Sequence, residues 1–440
     1  MKTRRSIKIK AITWLVLFGL TGINSCNKAG GQKYSAEIPE NTVRIGVLFS
    51  KTGNRAITEL SMRDAAFMAV EEINNEGGLL GKQVELIDLD AESDDNIYKG
   101  STVQLINKYR VTAVFCNLPT GTINYVIPKL KRSNSLLFDL SNYSSATATS
   151  TDIIRLGSSP DQLLLPGTQY LLNLPKQPYT KFYLLGTAND YSNKAHNLIR
   201  SYLINKGVPP KNIKERIIRS ESEDFADVVV DIKRFSTDGK ACVLNTSRGS
   251  SNLGFYKEFA NQGLTSLGCP IMAFSISEDE LRRMDPEFLI GHLFCRNYFQ
   301  SVDTEKNIRF VSDFKLFCAI QGLPDGIDRV TGDGHCQAYT GVYLWKRAVE
   351  KAGSFDKEKV KKALYGLEFN SPAGIVKINE KMLTLDKPAM VGESNSEGQI
   401  DVLWQSDKLI PASPLGREPD LNAKELQANK KEKLKNSVPI

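Results

Sequence analysis

The chain has 440 residues, of which 41% are hydrophobic and 24% charged, and its formal net charge is +7. This length exceeds what one hydrophobic core usually serves, which favours two lobes over a single small domain. Residues 1–25 carry five cations and no acid, and residues 421–440 carry five lysines and two glutamates, which leaves −1 for the body between them. A nearly neutral body lacks the positive surface that phosphate-backbone binding needs, so nucleic acid is not expected as a partner.

The N-terminal 26 residues have the pattern of a secretory signal. Basic residues precede the apolar run AITWLVLFGL, which is too short to span a bilayer. The run ends in INSC, which resembles the lipobox of bacterial lipoproteins and predicts lipidation of Cys26, with the protein anchored in the bacterial cell envelope and facing the periplasm. Signal cleavage nearby, with Cys26 a bystander, is the alternative. Residues 27–41 then form a flexible tether, and residues 412–440 a lysine-rich disordered tail.

Residues 42–90 have the pattern of a strand, a helix and a strand. The segment TVRIGVLFS at 42–50 is apolar and rich in β-branched residues. Apolar residues between 64 and 76 recur at helical spacing, and the glycines at 77 and 78 supply the left-handed backbone that closes a helix. Spaced apolar residues from 84 to 89 follow in an extended run. The sequence therefore predicts a βαβ unit.

The same alternation of strands and helices continues to residue 275. A helical pattern spans 121–131. Six further strands are predicted, at TAVFCN (112–117), SLLFDL (135–140), KFYLLG (181–186), IKERII (213–218), ACVLNT (241–246) and PIMAFS (270–275). Such alternation predicts parallel sheets covered by helices on both faces, and this number of strands needs two sheets. The expected fold class is therefore α/β, with two doubly wound parallel-sheet lobes.

The pattern changes toward the C-terminus. Three amphipathic helices are predicted, at NIRFVSDFKLFCAI, GHCQAYTGVYLWKRAVEKAG and DKEKVKKALYGLEF. Short strands follow after Glu368, at AGIVKIN, KPAMVGE and IDVLWQ.

Residues that build catalytic or metal sites are scattered. Six cysteines follow Cys26 without any C-x-x-C spacing, and the three histidines lie far apart in the sequence. These spacings do not support a zinc site, and we expect buried free thiols, with disulfide pairing in an exported chain as the alternative. The chain also lacks G-x-S-x-G, G-x-x-x-x-G-K-S/T and H-E-x-x-H, so neither catalysis nor a cofactor is expected.

Several segments resemble the type I periplasmic solute-binding proteins, and within them the branch for urea and short-chain amides, which is related to the branched-chain amino acid binders. These segments are RIGVLFSKTG, LSMRDAAFMAVEEINNEGGLLGKQVEL, NTSRGSSN, SISEDELR, NYFQSVDT and AYTGVYLWKRAVEKAG. The resemblance runs from about residue 42 to 411 and implies two α/β lobes, joined by three hinge strands, that close on a small ligand. The predicted lobes are 42–156 plus 298–367, and 157–297 plus 368–411.

The candidate site lies in the polar loops after the predicted strands, because ligands of doubly wound sheets bind beyond the carboxyl ends of strands. Tyr143 is expected to stack on the ligand or to hydrogen-bond it. Glu278 either holds a ligand amino group or favours the first turn of the helix that it opens. The candidate ligand-binding residues are Ser50, Asn117, Thr120, Thr122, Asn142, Tyr143, Asn189, Tyr191, Ser277 and Glu278, of which Thr120, Thr122 and Ser277 are alternatively plain N-caps.

The sequence departs from the urea and amide branch at several positions of the expected pocket. Leu118 and Pro119 stand where those binders carry a tryptophan, and Ile123 stands where they carry an arginine. Residues 188–189 stand where those binders carry an Asp-Tyr pair. Gln337 stands where they carry a glutamate that opens the long late helix. These departures leave the ligand open and leave room for loss of ligand binding.

The resemblance implies a binding protein rather than an enzyme. We expect a lipoprotein that hands a small polar solute, a urea-like compound, short amide or amino acid, to an inner-membrane ABC permease and ATPase. The alternative is a binding-fold lipoprotein that acts as a sensor or regulator of an envelope protein.

Overall fold

The computed structural model describes residues 37–142, 150–174, 178–219, 224–237, 240–247, 249 and 251–412, with Thr120 described by its backbone alone. Cys26 and Tyr143 lie outside these ranges, as do the signal segment, most of the tether and the chain after Ala412, so the expectations for them stay predictions. Across the described ranges, no helix combines the length and the apolar character that crossing a membrane requires.

Within the described ranges the chain forms fifteen β-strands and eleven α-helices. The strands are β1 Thr42–Phe49, β2 Gln83–Asp90, β3 Ala113–Cys116, β4 Leu136–Asp139, β5 Ile153–Arg155, β6 Lys181–Thr187, β7 Ile213–Ile218, β8 Ala241–Asn245, β9 Ile271–Ala273, β10 Leu293–Arg296, β11 Glu368–Ser371, β12 Gly374–Ile378, β13 Leu385–Asp386, β14 Met390–Ser394 and β15 Ile400–Gln405. The helices are α1 Ala56–Asn75, α2 Asp95–Asn107, α3 Ile123–Lys131, α4 Pro160–Leu172, α5 Asp190–Asn205, α6 Ala226–Phe235, α7 Ser251–Asn261, α8 Glu278–Leu281, α9 Glu305–Ile320, α10 Asp333–Ala352 and α11 Lys357–Leu364.

The first sheet has five parallel strands in the order β2-β1-β3-β4-β5. Ile45 in β1 pairs with Leu86 on one side and with Ala113 on the other. The central strands are buried on both faces, and the rings of Phe115 and Phe138 stack with centroids 4.8 Å apart. Burial on both faces explains why these strands read as continuous apolar runs in the sequence.

The second sheet has seven strands in the order β15-β14-β10-β9-β8-β6-β7. Strands β6 to β10 are parallel to one another, whereas β14 runs antiparallel to β10 and β15 antiparallel to β14. The two lobes of parallel sheet and helix that the sequence predicts are therefore confirmed, and the second sheet gains an antiparallel pair at one edge.

A small third sheet, β11-β12-β13, is antiparallel. Phe369 in β11 stacks on Tyr343 of α10, with ring centroids 5.5 Å apart. The Arg155 N–H donates to the carbonyl of Leu383 at 2.7 Å, which joins this sheet to the end of β5. These contacts hold β11, β12 and β13 against the helices and strands of the first sheet.

Helix α1 begins at Ala56, earlier than the start at Asp64 that apolar spacing predicts. The reason is that the first turns bury polar residues rather than apolar ones. Glu59, Ser61 and Asp64 are only 0%, 3% and 4% exposed. Apolar periodicity in a sequence does not reveal a buried helix face that is made of polar side chains.

Three segments cross between the sheets, after β5, after β10 and before β14, and side chains tie them together. Asn297 donates from its amide nitrogen to the carbonyls of Gln162 at 3.1 Å and Pro388 at 2.7 Å. Its amide oxygen accepts a hydrogen bond from the Ser158 hydroxyl. Lys387 donates to the carbonyl of Leu156 at 2.6 Å. One buried network therefore spans all three crossings.

Candidate functional site

The loops after β1 and β3 are held by a buried carboxylate, that of Glu59. It accepts hydrogen bonds from the Ser50 N–H at 2.6 Å, from the Asn117 amide at 2.9 Å and from the Tyr98 hydroxyl. Burial raises the pKa of Glu59, although these three donors favour its charged form. Ser50 and Asn117 thus lie at strand ends as the sequence predicts, and their described contacts fix the loops. Their contact with a ligand stays a prediction.

The loop after β3 forms one turn of 3₁₀-helix over Thr120–Thr122 before α3 begins. The Thr122 hydroxyl is buried and donates to the carbonyl of Pro119 at 2.7 Å. Thr122 occupies the N-cap position of α3, but its side chain makes no capping hydrogen bond there. Thr122 therefore stabilises the turn itself rather than the end of the helix.

A second buried carboxylate, Asp139 at the end of β4, fixes the next pair of loops. It accepts from the N–H groups of Leu118 at 3.2 Å and Ser141 at 3.0 Å, and it pairs with Arg155 at 3.2 Å. Burial raises its pKa, and Arg155 opposes that shift. The Asn142 amide oxygen then accepts from the Ser158 N–H at 2.8 Å. Asn142 therefore links the loop after β4 to the first crossing.

In the second lobe, two candidates cap helices. The Asn189 amide oxygen accepts from the Ser192 N–H at 2.8 Å at the start of α5, and Tyr191 lies half-buried in the first turn. Ser277 forms a capping box with Glu280 at the start of α8, and its N–H donates to the Glu280 carboxylate at 3.0 Å. The N-cap alternative for Ser277 is therefore confirmed.

Glu278 does more than open α8. It is 4% exposed, and its Oε1 accepts from the Gln300 N–H at 2.9 Å, in the second crossing. Its other oxygen, Oε2, is buried without a hydrogen-bond partner among the described residues. A Cβ on Gly332 would lie only 2.9 Å from that oxygen, so the carboxylate packs against the start of α10. Burial raises the pKa of Glu278 to about 7.

Arg296 and Asp333 are buried and act electrostatically on Glu278. Arg296, at the end of β10, lies 3.3 Å from the carboxylate of Asp333 at the start of α10. The electrostatic field of Asp333 also acts on Lys387, whose pKa burial lowers to about 8. We refer to Glu278, Arg296, Asp333 and Lys387 as the hinge charge cluster. One turn after Asp333, the Gln337 side-chain oxygen is buried without a hydrogen-bond partner in the described ranges.

A family model described as periplasmic binding protein domain matches residues 43–419. The chain belongs to this family. The match covers both sheets and the three crossings.

Solved structures of related periplasmic binding proteins share the fold. A solute binding protein of an ABC transporter from Rhodopseudomonas palustris HaA2, in complex with p-hydroxybenzoic acid, is 21% identical, with 85% of this chain and 99% of that chain covered and a TM-score of 0.72. An amino acid ABC transporter substrate-binding protein from Pseudomonas fluorescens Pf-5 is 16% identical, with 87% of this chain and 99% of that chain covered and a TM-score of 0.73. A branched-chain amino acid transporter substrate binding protein, LivJ, from Streptococcus pneumoniae, in complex with isoleucine, is 18% identical. The match covers 84% of this chain and 99% of that chain, with a TM-score of 0.67.

One curated relative is named as an enzyme. Limonene hydroxylase from Geobacillus stearothermophilus is 33% identical over 132 residues, which is 30% of this chain. This chain spans only 23% of the length of that protein. A match over so small a share does not carry that activity to the periplasmic binding protein.

The thiols of this periplasmic binding protein are buried and unpaired. Cys116, Cys242, Cys269, Cys295, Cys318 and Cys336 are all free. Burial raises the pKa of each of them, which keeps the unreactive thiol form dominant. The expected free thiols are thus confirmed. Over the described residues, no group of three or more His, Cys, Asp and Glu side chains is placed to hold a metal ion.

Sequence reasoning missed most of the hinge charge cluster. It singled out Glu278 from the loop after β9, but Arg296 ends a strand that was not predicted, and Asp333 and Lys387 lie at the starts of a predicted helix and a predicted strand. The sequence feature that could have indicated Arg296 and Lys387 is a charged residue at the edge of an apolar run, as in LFCR and KPAMV. That pattern is common at exposed strand ends, so it does not by itself indicate burial.

Proposed function

We propose that the chain is an extracytoplasmic solute-binding lipoprotein, anchored at Cys26 in the bacterial cell envelope, that captures a small polar solute between its lobes and passes it to an inner-membrane ABC permease and ATPase. The supporting observation is that polar loops follow the carboxyl ends of strands in both sheets, where β5 and β10 continue into the crossings. In doubly wound sheets this is the edge that binds ligands. The three related solved structures are described as transporter binding proteins, two of them with a small ligand.

The hinge charge cluster supports a solute without a large net charge. Two acids and two bases are buried together, so a strongly charged ligand beside them would leave a buried charge without compensation. A urea-like compound, a short amide or an amino acid meets this condition. Its N–H groups would donate to Glu278, whose Oε2 accepts no other hydrogen bond from the described residues.

The remaining ligand contacts are proposed from the loops at the strand ends. They are Ser50, Asn117, Thr120, Thr122, Asn142 and Tyr143 from the first lobe, and Asn189, Tyr191 and Ser277 from the second. We propose lobe bounds of 42–156 plus 298–367 and of 157–297 plus 368–411, with residues 368–386 moved to the first lobe because β11–β13 pack against its helices and strands.

The experiment is a thermal-shift screen of the purified protein against urea, short amides, amino acids, hydroxybenzoates and polyamines. A solute at one hundred times its dissociation constant adds about 2.7 kcal/mol to the free energy of unfolding. For lobes of this size we expect the melting temperature to rise by about 5 to 10 °C for one solute class. Glu278→Gln should reduce that shift, because an amide both accepts and donates where the carboxylate only accepts.

A regulatory role is the second candidate, and the pocket departures favour it. Leu118 replaces an aromatic residue of the urea and amide binders and is buried, and Asn142 is already bonded to Ser158. Both observations reduce the polar and aromatic groups available to a ligand. A screen without any shift, combined with co-purification of an envelope protein, would favour a sensor or regulator over transport.

A further inference from the structure

A groove lies between α1, α9 and α10, with a volume of about 490 Å³. It is lined by the last two turns of α1, which runs back along the sheet from the carboxyl end of β1, so this groove lies at the opposite end of the sheet from the candidate solute site. Its apolar lining includes Met68, Phe310, Leu316 and Phe317. Leu316 remains 53% exposed, so the structure leaves this surface uncovered. The volume falls within the range of small-molecule sites.

A half-buried carboxylate, that of Glu72, is fixed in the wall of this groove. Its Oε2 accepts hydrogen bonds from the hydroxyls of Tyr339 at 2.8 Å and Tyr343 at 2.5 Å. Its Oε1 accepts no hydrogen bond from the described residues. Two tyrosine donors on one oxygen orient the carboxylate and leave the other oxygen as an acceptor for a ligand.

The groove favours a cation. The ammonium of Lys306 lies 5.9 Å from the ring centroid of Tyr339 and 6.0 Å from that of Tyr343, which shows that a cation fits over both rings. Within the described residues Lys306 makes no ion pair within 4 Å, although its charge acts on Glu72, so a ligand cation would take over the role that this side chain now has. Of the four acids in the lining, Glu76 pairs with Lys346 at 2.9 Å and Asp313 with Arg309 at 3.4 Å. This leaves Glu71 and Glu72 against the single base Lys306.

We propose that this groove binds a small organic cation with an apolar body. The ammonium group donates to Glu72 Oε1 and replaces Lys306 over the two tyrosine rings, while the apolar body packs against Met68, Phe310 and Phe317. Salt-bridged hydrogen bonding and cation–π attraction supply the selectivity for charge, and the apolar wall supplies the selectivity for shape. The site is separate from the solute cleft and does not depend on it.

The test is equilibrium dialysis of 2-phenylethylammonium against the full chain in phosphatidylcholine nanodiscs, with empty nanodiscs as the blank. We expect saturable binding, and much weaker binding of 3-phenylpropionate, which has the same ring with the opposite charge. Glu72→Gln should weaken binding at least about tenfold, because it removes a charged hydrogen bond. Lys306→Met should strengthen binding, because it removes the competing cation. The exposed acid Glu397 serves as a control, and Glu397→Gln should leave binding unchanged.

Three results would overturn the proposal. One is equal binding of the phenylpropionate anion. The second is unchanged or weaker binding in Lys306→Met, whose side chain is half-exposed. The third is Glu72-dependent binding of a lysine-rich peptide without binding of 2-phenylethylammonium, which would make the groove a protein interface.

Discussion

The ammonium of Lys387 donates a hydrogen bond to the main-chain oxygen of Leu156 at 2.6 Å, so a buried charge joins two of the three crossings between the lobes. Lys387 is only 2% exposed and lies in the electrostatic field of Asp333. A buried ammonium is costly unless acceptors surround it, so its presence indicates that the crossings are built around it.

Replacement of Lys387 by methionine should destabilise the protein. The variant keeps the length of the side chain but leaves the Leu156 carbonyl without its donor and Asp333 with one cation fewer. Loss of one partner from a buried charge network costs about 3 kcal/mol. Chemical denaturation with urea measures the difference. The exposed Lys408 is a matched control, and a loss as large in Lys408→Met would show that the effect is not specific to the crossings.

The hinge charge cluster should make stability depend on pH in two opposite ways. The pKa of Glu278 is raised from 4.5 to about 7, so its contribution is fully present below pH 4.5 and is lost as the pH rises through 7. The pKa of Lys387 is lowered from 10.5 to about 8, so the unfolded chain binds more protons between these values and stability rises from pH 8 to 10.5.

Comparing the melting temperatures of the native chain and of Glu278→Gln between pH 4 and 9 isolates the contribution of the Glu278 carboxyl group to stability. The difference between the two proteins should change between pH 4.5 and 7 and be flat above pH 8. A difference that is constant from pH 4 to 9 would mean that Glu278 does not change its protonation on unfolding in this window.

Much of the fold could be predicted because its strands and helices carry their own periodicity. The βαβ unit of β1, α1 and β2 has apolar strands, helical spacing and a glycine stop within fifty residues of sequence. Strands β5 and β10 were missed, although the equally short β3, β4 and β9 were predicted from their apolar runs.

The side-chain network of the site could not be predicted in the same way. Glu59 precedes the predicted start of helix α1, yet it is fully buried and accepts hydrogen bonds from residues on two loops. Lys387 and Leu156 are separated by 231 residues in the sequence. Such partners are set by the packing of the lobes, for which a single sequence carries no local signal.

Gly157 should tolerate no side chain. A Cβ at this position would lie 1.8 Å from the carbonyl oxygen of Ser141, a main-chain atom that cannot turn aside. Gly157→Ala should therefore separate the loop after β4 from the first crossing and cost about 3 kcal/mol in the free energy of unfolding.

Gly100→Ala is the matched control for that substitution. Gly100 lies in α2, with no atom within 4 Å of an added Cβ, so alanine there should raise stability by about 0.5–1 kcal/mol. A Gly157→Ala variant as stable as the native chain would refute the close approach of the two segments.

Lipidation at Cys26 predicts a firm membrane anchor. Because several acyl chains bind far more tightly than one, the native protein should partition into the detergent phase of Triton X-114, and Cys26→Ala should shift it to the aqueous phase. Unchanged partitioning of the variant would leave the apolar leader, rather than lipid, as the anchor.

Isothermal titration of the solute found in the thermal-shift screen into the native chain and into Tyr143→Ala tests the central claim, solute capture between the lobes, most directly. The account predicts one solute per chain, binding lost in Tyr143→Ala, and a melting temperature of the unliganded variant within about 2 °C of the native value, because a cleft aromatic side chain contributes to the ligand rather than to the core. Absence of heat for every solute class in the screen, or equal binding by both proteins, would contradict it.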